Sequence, residues 1–408
     1  MIYTEDFFAQ NSPYPNDDLV QLVDNQTKEN VNYKKVTVWM NGTSINTSNE
    51  ATLIDGIVYR KKGTDYYVNT LILSGSELNA GTFGVRADGI TDDSDALQKA
   101  FDFCGKNGWK LKLPIGEIVI TKNIVCTITT NTVTNVNRFQ LIGSGVNLTF
   151  LRSVGVEGGL HFISNSNKGS VYLTISGFTI TRPDTKNASG GVGVYVKNIM
   201  EVTIKDVEAF KFNIGMQVMD TCSSLFENIK MHWGDKGFYS EKVNITPPNL
   251  LTFNNCHFNS NAVKGVELYN VHNVKFDGCG FEGNYGNAIE ASFVGDNGKV
   301  GLNLINSYFE GTSNGVDVYY TLNNGGTANF IGNTFNRLSN NIYTSIFVLS
   351  NTAGKSYLNF VGNGFLNGED FIPNGDKPAI LITGNTANIH YTDTNYYETP
   401  SDVLICLP

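Results

Sequence analysis

A single register recurs ten times between residues 141 and 396 of this 408-residue chain. An apolar residue is followed two positions later by Gly, Asn or Asp, and five positions later by a second apolar residue. The sites are Leu141-Gly143-Val146, Ile175-Gly177-Ile180, Ile204-Asp206-Ala209, Phe226-Asn228-Met231, Phe253-Asn255-Phe258, Phe276-Gly278-Phe281, Leu304-Asn306-Phe309, Phe330-Gly332-Phe335, Phe360-Gly362-Phe365 and Tyr391-Asp393-Tyr396. Successive anchors lie 22 to 34 residues apart, and a unit of that length repeated along a chain marks a solenoid. The middle position holds residues that tolerate the left-handed αL conformation, as a sharp bend between two strands requires.

A further strand falls between the anchors, usually Gly followed by apolar-x-apolar, as in Gly215-Met216-Gln217-Val218, Gly265-Val266-Glu267-Leu268 and Gly315-Val316-Asp317-Val318. Each repeat therefore holds three short strands with apolar residues inward and polar residues outward. Stacking such units predicts an all-β fold, a right-handed parallel β-helix with three sheets around one core. A β-sandwich needs antiparallel hairpins and would not preserve the register. Cys256 and Cys279 share one inward position on adjacent rungs and are expected to be stacked core thiols, with no metal site.

Composition is consistent with a turn-dense β protein: 16% charged residues, 12% aromatic and 42 Gly. A net charge of -9 argues against a nucleic-acid partner, whose phosphates call for an excess of Lys and Arg. Six cysteines without CxxC spacing suggest no disulfide framework. The opening residues show neither the basic nor the apolar segment of a signal peptide, and no apolar run approaches membrane-spanning length. Asn-x-Ser/Thr triplets such as Asn147-Leu148-Thr149 and Asn244-Ile245-Thr246 follow from an Asn- and Thr-rich composition.

Residues 1–78 lack the register. Val36–Met40, Gly56–Arg60 and Tyr66–Val68 read as strands of a small β-rich domain, expected to serve attachment or oligomerisation. Residues 79–125 carry a capping helix and the first rung, residues 126–398 the solenoid body, and residues 399–408 an end strand. Thr91 or Asp92 is expected to N-cap the helix, Ala96, Leu97, Ala100, Phe101 and Cys104 to form its apolar face, and Gly105 to end it. Such a cap covers the open end of a solenoid. The Asp-rich run before it is expected to serve turns and capping, with no cofactor.

Asp88-Gly89-x-Thr91-Asp92-Asp93-x-x-Ala96-Leu97-Gln98-x-Ala100, followed by Leu113-Pro114-x-Gly116, resembles the opening signature of the pectate-lyase-like superfamily. Within it, the chain is most similar to bacteriophage tailspikes and capsule depolymerases. The resemblance covers most of residues 80–398. It implies a protein of the virion tail that binds and usually cleaves a bacterial surface polysaccharide, often as a homotrimer, with the N-terminal region facing a virion component. The Asn-Thr-Asp and Arg-Ile-Lys motifs of plant and fungal polygalacturonases are missing, so their catalytic residues do not transfer. The long C-terminal trimerisation domain of many tailspikes is not evident.

The register also predicts which side chains point outward. One outward column of the Gly-apolar-x-apolar strand is expected to hold His161, Gly193, Gln217, Tyr239, Glu267, Glu290 and Asp317, and the next Tyr195, Met219, Glu241, Tyr269, Ser292 and Tyr319. The strand after the αL bend contributes His232, Asn259, Glu282 and Glu310. Glycoside hydrolysis needs two carboxyl groups astride the bond, about 5–5.5 Å apart in retaining enzymes and about 6.5–9.5 Å in inverting ones. Crowded like charges raise one pKa and keep that group protonated. The leading candidates are Glu267, Glu290 and Asp317, with Glu282 and Glu310 as alternates. Tyr239, Tyr269, Tyr319, Tyr195 and His232 are the expected sugar contacts. A lyase would need a base and a cation beside a uronate; Lys230, His232, Tyr239 and Lys264 lie near this stretch, but no clustered Arg/Lys pair is visible. A non-catalytic glycan-binding fibre is the rival from another class.

Overall fold

The computed structural model describes residues 1–40, 42–73, 77–128, 136–155, 157–165, 170–183, 191–243, 247–293, 300–322, 325–337, 344–350, 354–367, 378–398 and 404–407. The triplet at 244–246 lies outside them.

A rung is seen most simply at residues 249–269. A long strand, Asn249–Asn254, bends at Asn255 into a short strand, His257–Asn259, and a turn leads to a third strand, Lys264–Tyr269. Each pairs in parallel with its counterparts on the rungs before and after. Among the described residues the long and short strands merge into one run in four rungs, Ser170–Thr181, Glu201–Phe210, Ser356–Asn367 and Ile389–Tyr397. The third strands form an eleven-stranded parallel sheet from Ile124–Ile128 to Leu404–Cys406.

Eight of the ten predicted bends take the αL conformation, with φ between 50° and 75° at Gly177, Asp206, Asn228, Asn255, Gly278, Asn306, Gly332 and Gly362. The first and last of the ten differ. In the first, Asn147 rather than Gly143 has positive φ, and Leu151 rather than Val146 lies opposite Ile180. In the last, Ile389–Tyr397 runs on as one strand, Asp393 falls opposite Phe360, and Tyr397 rather than Tyr396 stacks on Phe365 at 5.2 Å. The last of these rungs lies at the end of the solenoid, whereas the first is still paired on both sides, with Lys110–Lys112 and Gly116–Ile120 before it and Ser170–Thr181 after it.

Inside, equivalent residues stack. Phe226, Phe253 and Phe276 form one ladder at 4.7 and 4.6 Å. Phe258, Phe281, Phe309, Phe335 and Phe365 form a second at 4.7–5.4 Å. These rings are fully buried, and each contributes about 1.5–3 kcal/mol of transfer free energy. Cys256 and Cys279 are buried in the same core with free thiols. Lower on this column Ser307, Asn333 and Asn363 link rung to rung, Asn333 Nδ2 donating to Asn363 Oδ1 at 2.8 Å.

The capping helix spans Ser94–Asn107 and buries Leu97, Ala100, Phe101, Phe103 and Cys104. Asp93 is its N-cap residue, while the Asp92 carboxylate accepts from Ser94 N at 3.0 Å. The helix passes through Gly105, where a Cβ would lie 2.6 Å from Cys126 Sγ, and ends at Gly108 with φ 69°. Gly105 therefore marks a close approach and not a terminus. The Asp-rich run is consumed by turns: Asp88 accepts from Ile90 N and Thr91 N, and Asp93 from Arg86 N and Ala87 N. Those backbone donors hold Asp88 down at about 2.

Before the cap, Leu19–Val23, Asn30–Val36, Asp65–Asn69 and Tyr59–Lys62 form a four-stranded antiparallel sheet in that spatial order. Val36 closes the second strand, so the segment expected to run as a strand to Met40 contributes only the bridge Val38–Ser44. One face of the sheet packs Phe7, Leu22 and Tyr33 together. Val58, Tyr59 and Val68 instead join the core that continues through Leu97 and Phe101 into the solenoid.

Candidate functional site

Two carboxylate ladders stand on neighbouring faces of the solenoid. On the third-strand sheet, Tyr195, Gln217, Tyr239, Glu267, Glu290 and Tyr319 lie directly opposite one another on successive rungs. Two expected members are displaced. Tyr195 takes the place assigned to Gly193, and Tyr319 the place assigned to Asp317. The connection from Glu310 to Val318 is one residue longer than that from Glu282 to Ile289, and Val318 rather than Val316 stacks on Ile289. Asp317 consequently sits at a buried corner, 7% exposed, where Thr312 Oγ1 donates to its carboxylate at 2.7 Å. Burial pushes its pKa up to about 6 against the pull of Thr312, Ser345 and Arg337. It does not reach the surface that carries Glu267 and Glu290.

Glu267 and Glu290 do stack, but with cations. Lys236 lies opposite Lys264 on the neighbouring rung, and both ammonium groups bridge to Glu267. Lys264 also reaches Glu290 at 2.9 Å, and Asn287 Nδ2 donates to the same carboxylate at 2.7 Å. Burial alone would raise the Glu267 carboxyl, yet the two lysines outweigh it and hold it below the ordinary range. Glu267 is thus held toward its ionised form in a cluster of two lysines and two glutamates, which disfavours the role of proton donor. The lysine pair escaped the sequence reading because 28 residues separate its members. The aromatic residues expected here surround the cluster. The Tyr239 hydroxyl donates to Glu241 and its ring faces the Lys236 ammonium at 4.8 Å. Tyr269 is 38% exposed opposite Ser292. Tyr195 and Tyr319 rest against His161 and Phe347, each at 5.2 Å.

The short-strand sheet carries the other ladder. Phe210, His232 and Asn259 are aligned, as are Glu282, Glu310 and Asn336, and Glu282 N donates to Asn259 Oδ1 at 3.1 Å between the two groups. Glu282 and Glu310 are directly opposed and, among the described residues, neither has an ion-pair partner. Glu310 is oriented by the Tyr308 hydroxyl at 2.7 Å on one oxygen and by Asn336 Nδ2 at 3.3 Å on the other. The adjacent column runs Lys230, His257, Gly280, Tyr308 and Thr334. Gly280 is buried and lets the His257 ring lie over it: a Cβ there would come within 2.7 Å of His257 Nδ1 and 3.6 Å of Glu282 Oε1. Imidazole and carboxylate therefore converge over the Gly280 backbone. His232 stacks on Phe210 at 5.4 Å, and burial pulls its pKa down to about 4 although Glu208 opposes this. It is a neutral contact at pH 7.

Sequence reading missed His257 and Tyr308. Both lie two residues before an outward position it had identified, Asn259 and Glu310, so alternation was sufficient to find them. Among the described residues no three His, Cys, Asp or Glu side chains are arranged to hold a metal, and no helix is long and apolar enough to cross a membrane.

Residues 116–305 match the family model described as "Right handed beta helix region". The solenoid is a right-handed parallel β-helix. The preneck appendage protein of Bacillus phage PZA is 27% identical over 156 residues, an alignment covering 35% of this chain and 16% of that protein. This chain thus matches about a sixth of its curated relative's length. The tailspike protein of Acinetobacter phage vB_ApiP_P1 has the same fold, with a TM-score of 0.62, 12% identity and coverage of 96% of this chain and 68% of that one. PfbA, a surface adhesin of Streptococcus pneumoniae, superposes with a TM-score of 0.55 and 15% identity over 75% of this chain and 83% of its own.

Proposed function

We propose that this β-helix is a phage tail-appendage protein that binds a bacterial surface polysaccharide and cleaves it by glycoside hydrolysis on the short-strand face. The observation that carries the reading is the Glu282–Glu310 pair, opposed on adjacent strands and without an ion-pair partner among the described residues. Adjacent strands lie about 4.8 Å apart, which matches the ~5–5.5 Å separation of a retaining pair. Glu310, held at both oxygens, is the nucleophile; Glu282, beside His257 over Gly280, is the acid. Support for the setting comes from the preneck appendage and tailspike proteins that share sequence or fold with this chain. The N-terminal sheet would face the virion, and a homotrimer fits the same setting.

The adhesin on the same scaffold supports a rival, binding without cleavage. The test is product analysis on bacterial capsular polysaccharides and O-antigens. New reducing ends without the ultraviolet absorbance of an unsaturated uronate mark hydrolysis, and retained anomeric configuration by NMR marks the close carboxylate pair. Polymer that is bound but never shortened would establish the rival. Unsaturated products would establish a lyase.

A further inference from the structure

One corner of the solenoid is built against its own conformational preference. Lys211, Trp233, Ser260, Gly283 and Gly311 follow the short strand on five successive rungs, and all have φ between 54° and 69°. Their amides repeat one contact: Trp233 N donates to Asn259 O, Ser260 N to Glu282 O and Gly283 N to Glu310 O. Toward the carboxylates the chain places the small Ser260 and then Gly283 and Gly311, the two glycines meeting this φ at low cost. At Trp233 it places a bulky aromatic, for which positive φ is a genuine outlier. Strain of that kind persists where a function selects it.

The side chain is presented accordingly. Trp233 is 60% exposed. Beneath it the Phe210 ring lies at 5.7 Å and the His232 ring at 6.2 Å, so one side of the indole is supported. The small residues beyond it leave the way open along the corner to Glu282 and Glu310. Those carboxylates lie two and three rungs away, about 10 and 14 Å at the strand spacing. We infer that Trp233 is a sugar-stacking platform, a subsite that holds a pyranose ring of the polysaccharide away from the cleaved bond. The inference rests on the polysaccharide reading above but not on cleavage. A supported, half-exposed indole offers the broad apolar face that the C–H side of a pyranose covers, and neutral His232 adds no charge that would require an acidic partner.

The test is affinity electrophoresis through gels cast with each of a panel of bacterial capsular polysaccharides and O-antigens, alongside thermal unfolding. Trp233→Gly relieves the backbone strain, so it should keep or raise the melting temperature while weakening retardation about tenfold in the gel that retards the wild type. Trp233→Phe should recover most of the retardation. Equal retardation of wild type and Trp233→Gly overturns the platform and leaves the polysaccharide reading standing. Wild-type protein retarded by no gel overturns both. A Glu310→Gln variant that releases no product but is retarded like the wild type shows that the platform works independently of cleavage; loss of retardation in that variant assigns binding to the carboxylates instead and overturns the platform.

Discussion

Glu267 and Glu290 on one face, and Glu282 and Glu310 on the next, are the same arrangement in outline: two glutamates directly opposed on parallel strands. Their surroundings make them different objects. The first pair shares two lysines and an asparagine, and its charge is neutralised where it stands. The second has hydroxyl and amide partners only, with His257 beside it over Gly280. Like charges opposed across strands cost free energy. The uncompensated pair is therefore the one proposed above for cleavage.

The sharpest way to break this comparison is to remove one carboxylate from each ladder. Glu310→Gln removes the proposed nucleophile and should lower product release by at least the ~10²–10⁴-fold that a positioned acid or base is worth, with little change in melting temperature. Glu267→Gln should leave the rate of release near wild type. An opposite pattern, with Glu267 essential and Glu310 dispensable, would return the chemistry to the third-strand face. Asp317, the carboxylate that falls outside both ladders, should behave as an internal acid. Its folded pKa of about 6 exceeds its unfolded value, so its contribution is most favourable at low pH and is lost as pH rises through about 6. Asp317→Asn should therefore gain stability relative to wild type between pH 4 and pH 8, by up to about 3 kcal/mol, measured by denaturant titration. A constant difference across that range would place Asp317 in water.

Glu267→Gln should have the reverse dependence and a smaller amplitude. Because the lysines hold the Glu267 carboxyl below its ordinary range, its contribution is present above the unfolded pKa and lost as pH falls through the folded one. At pH 7 the variant should lose about 1–3 kcal/mol by stranding part of the lysine charge. The difference from wild type should shrink in acid. A loss that is the same at pH 3 and pH 7 would mean packing rather than charge.

The solenoid was legible because its period is a property of composition along the chain. A bend every rung needs an αL residue, and Asn228, Asn255 and Gly278 supply it at one fixed offset from a core aromatic. The short-strand face was legible for the same reason: only one residue separates Asn255 from His257 and three separate it from Asn259, so alternation carries the register across the bend. The third-strand face was less so. Its strand follows a connection of variable length, and one extra residue before Val318 gave Gly315-Val316-Asp317 the look of a strand start that Val318-Tyr319-Tyr320 provides. The capping helix was readable in its apolar face, whereas its end depended on Cys126 approaching Gly105.

The amino-acid sequence by itself determined the period, the inward aromatic ladders and the presence of acidic residues on two outward faces. These follow from local conformational preference and from burial, which act on neighbours in the chain. Only the tertiary structure decided which acids are neutralised. Lys236 meets Glu267, and Lys264 meets Glu290, across rungs, and electrostatic interaction depends on distance through space with no regard for separation along the chain.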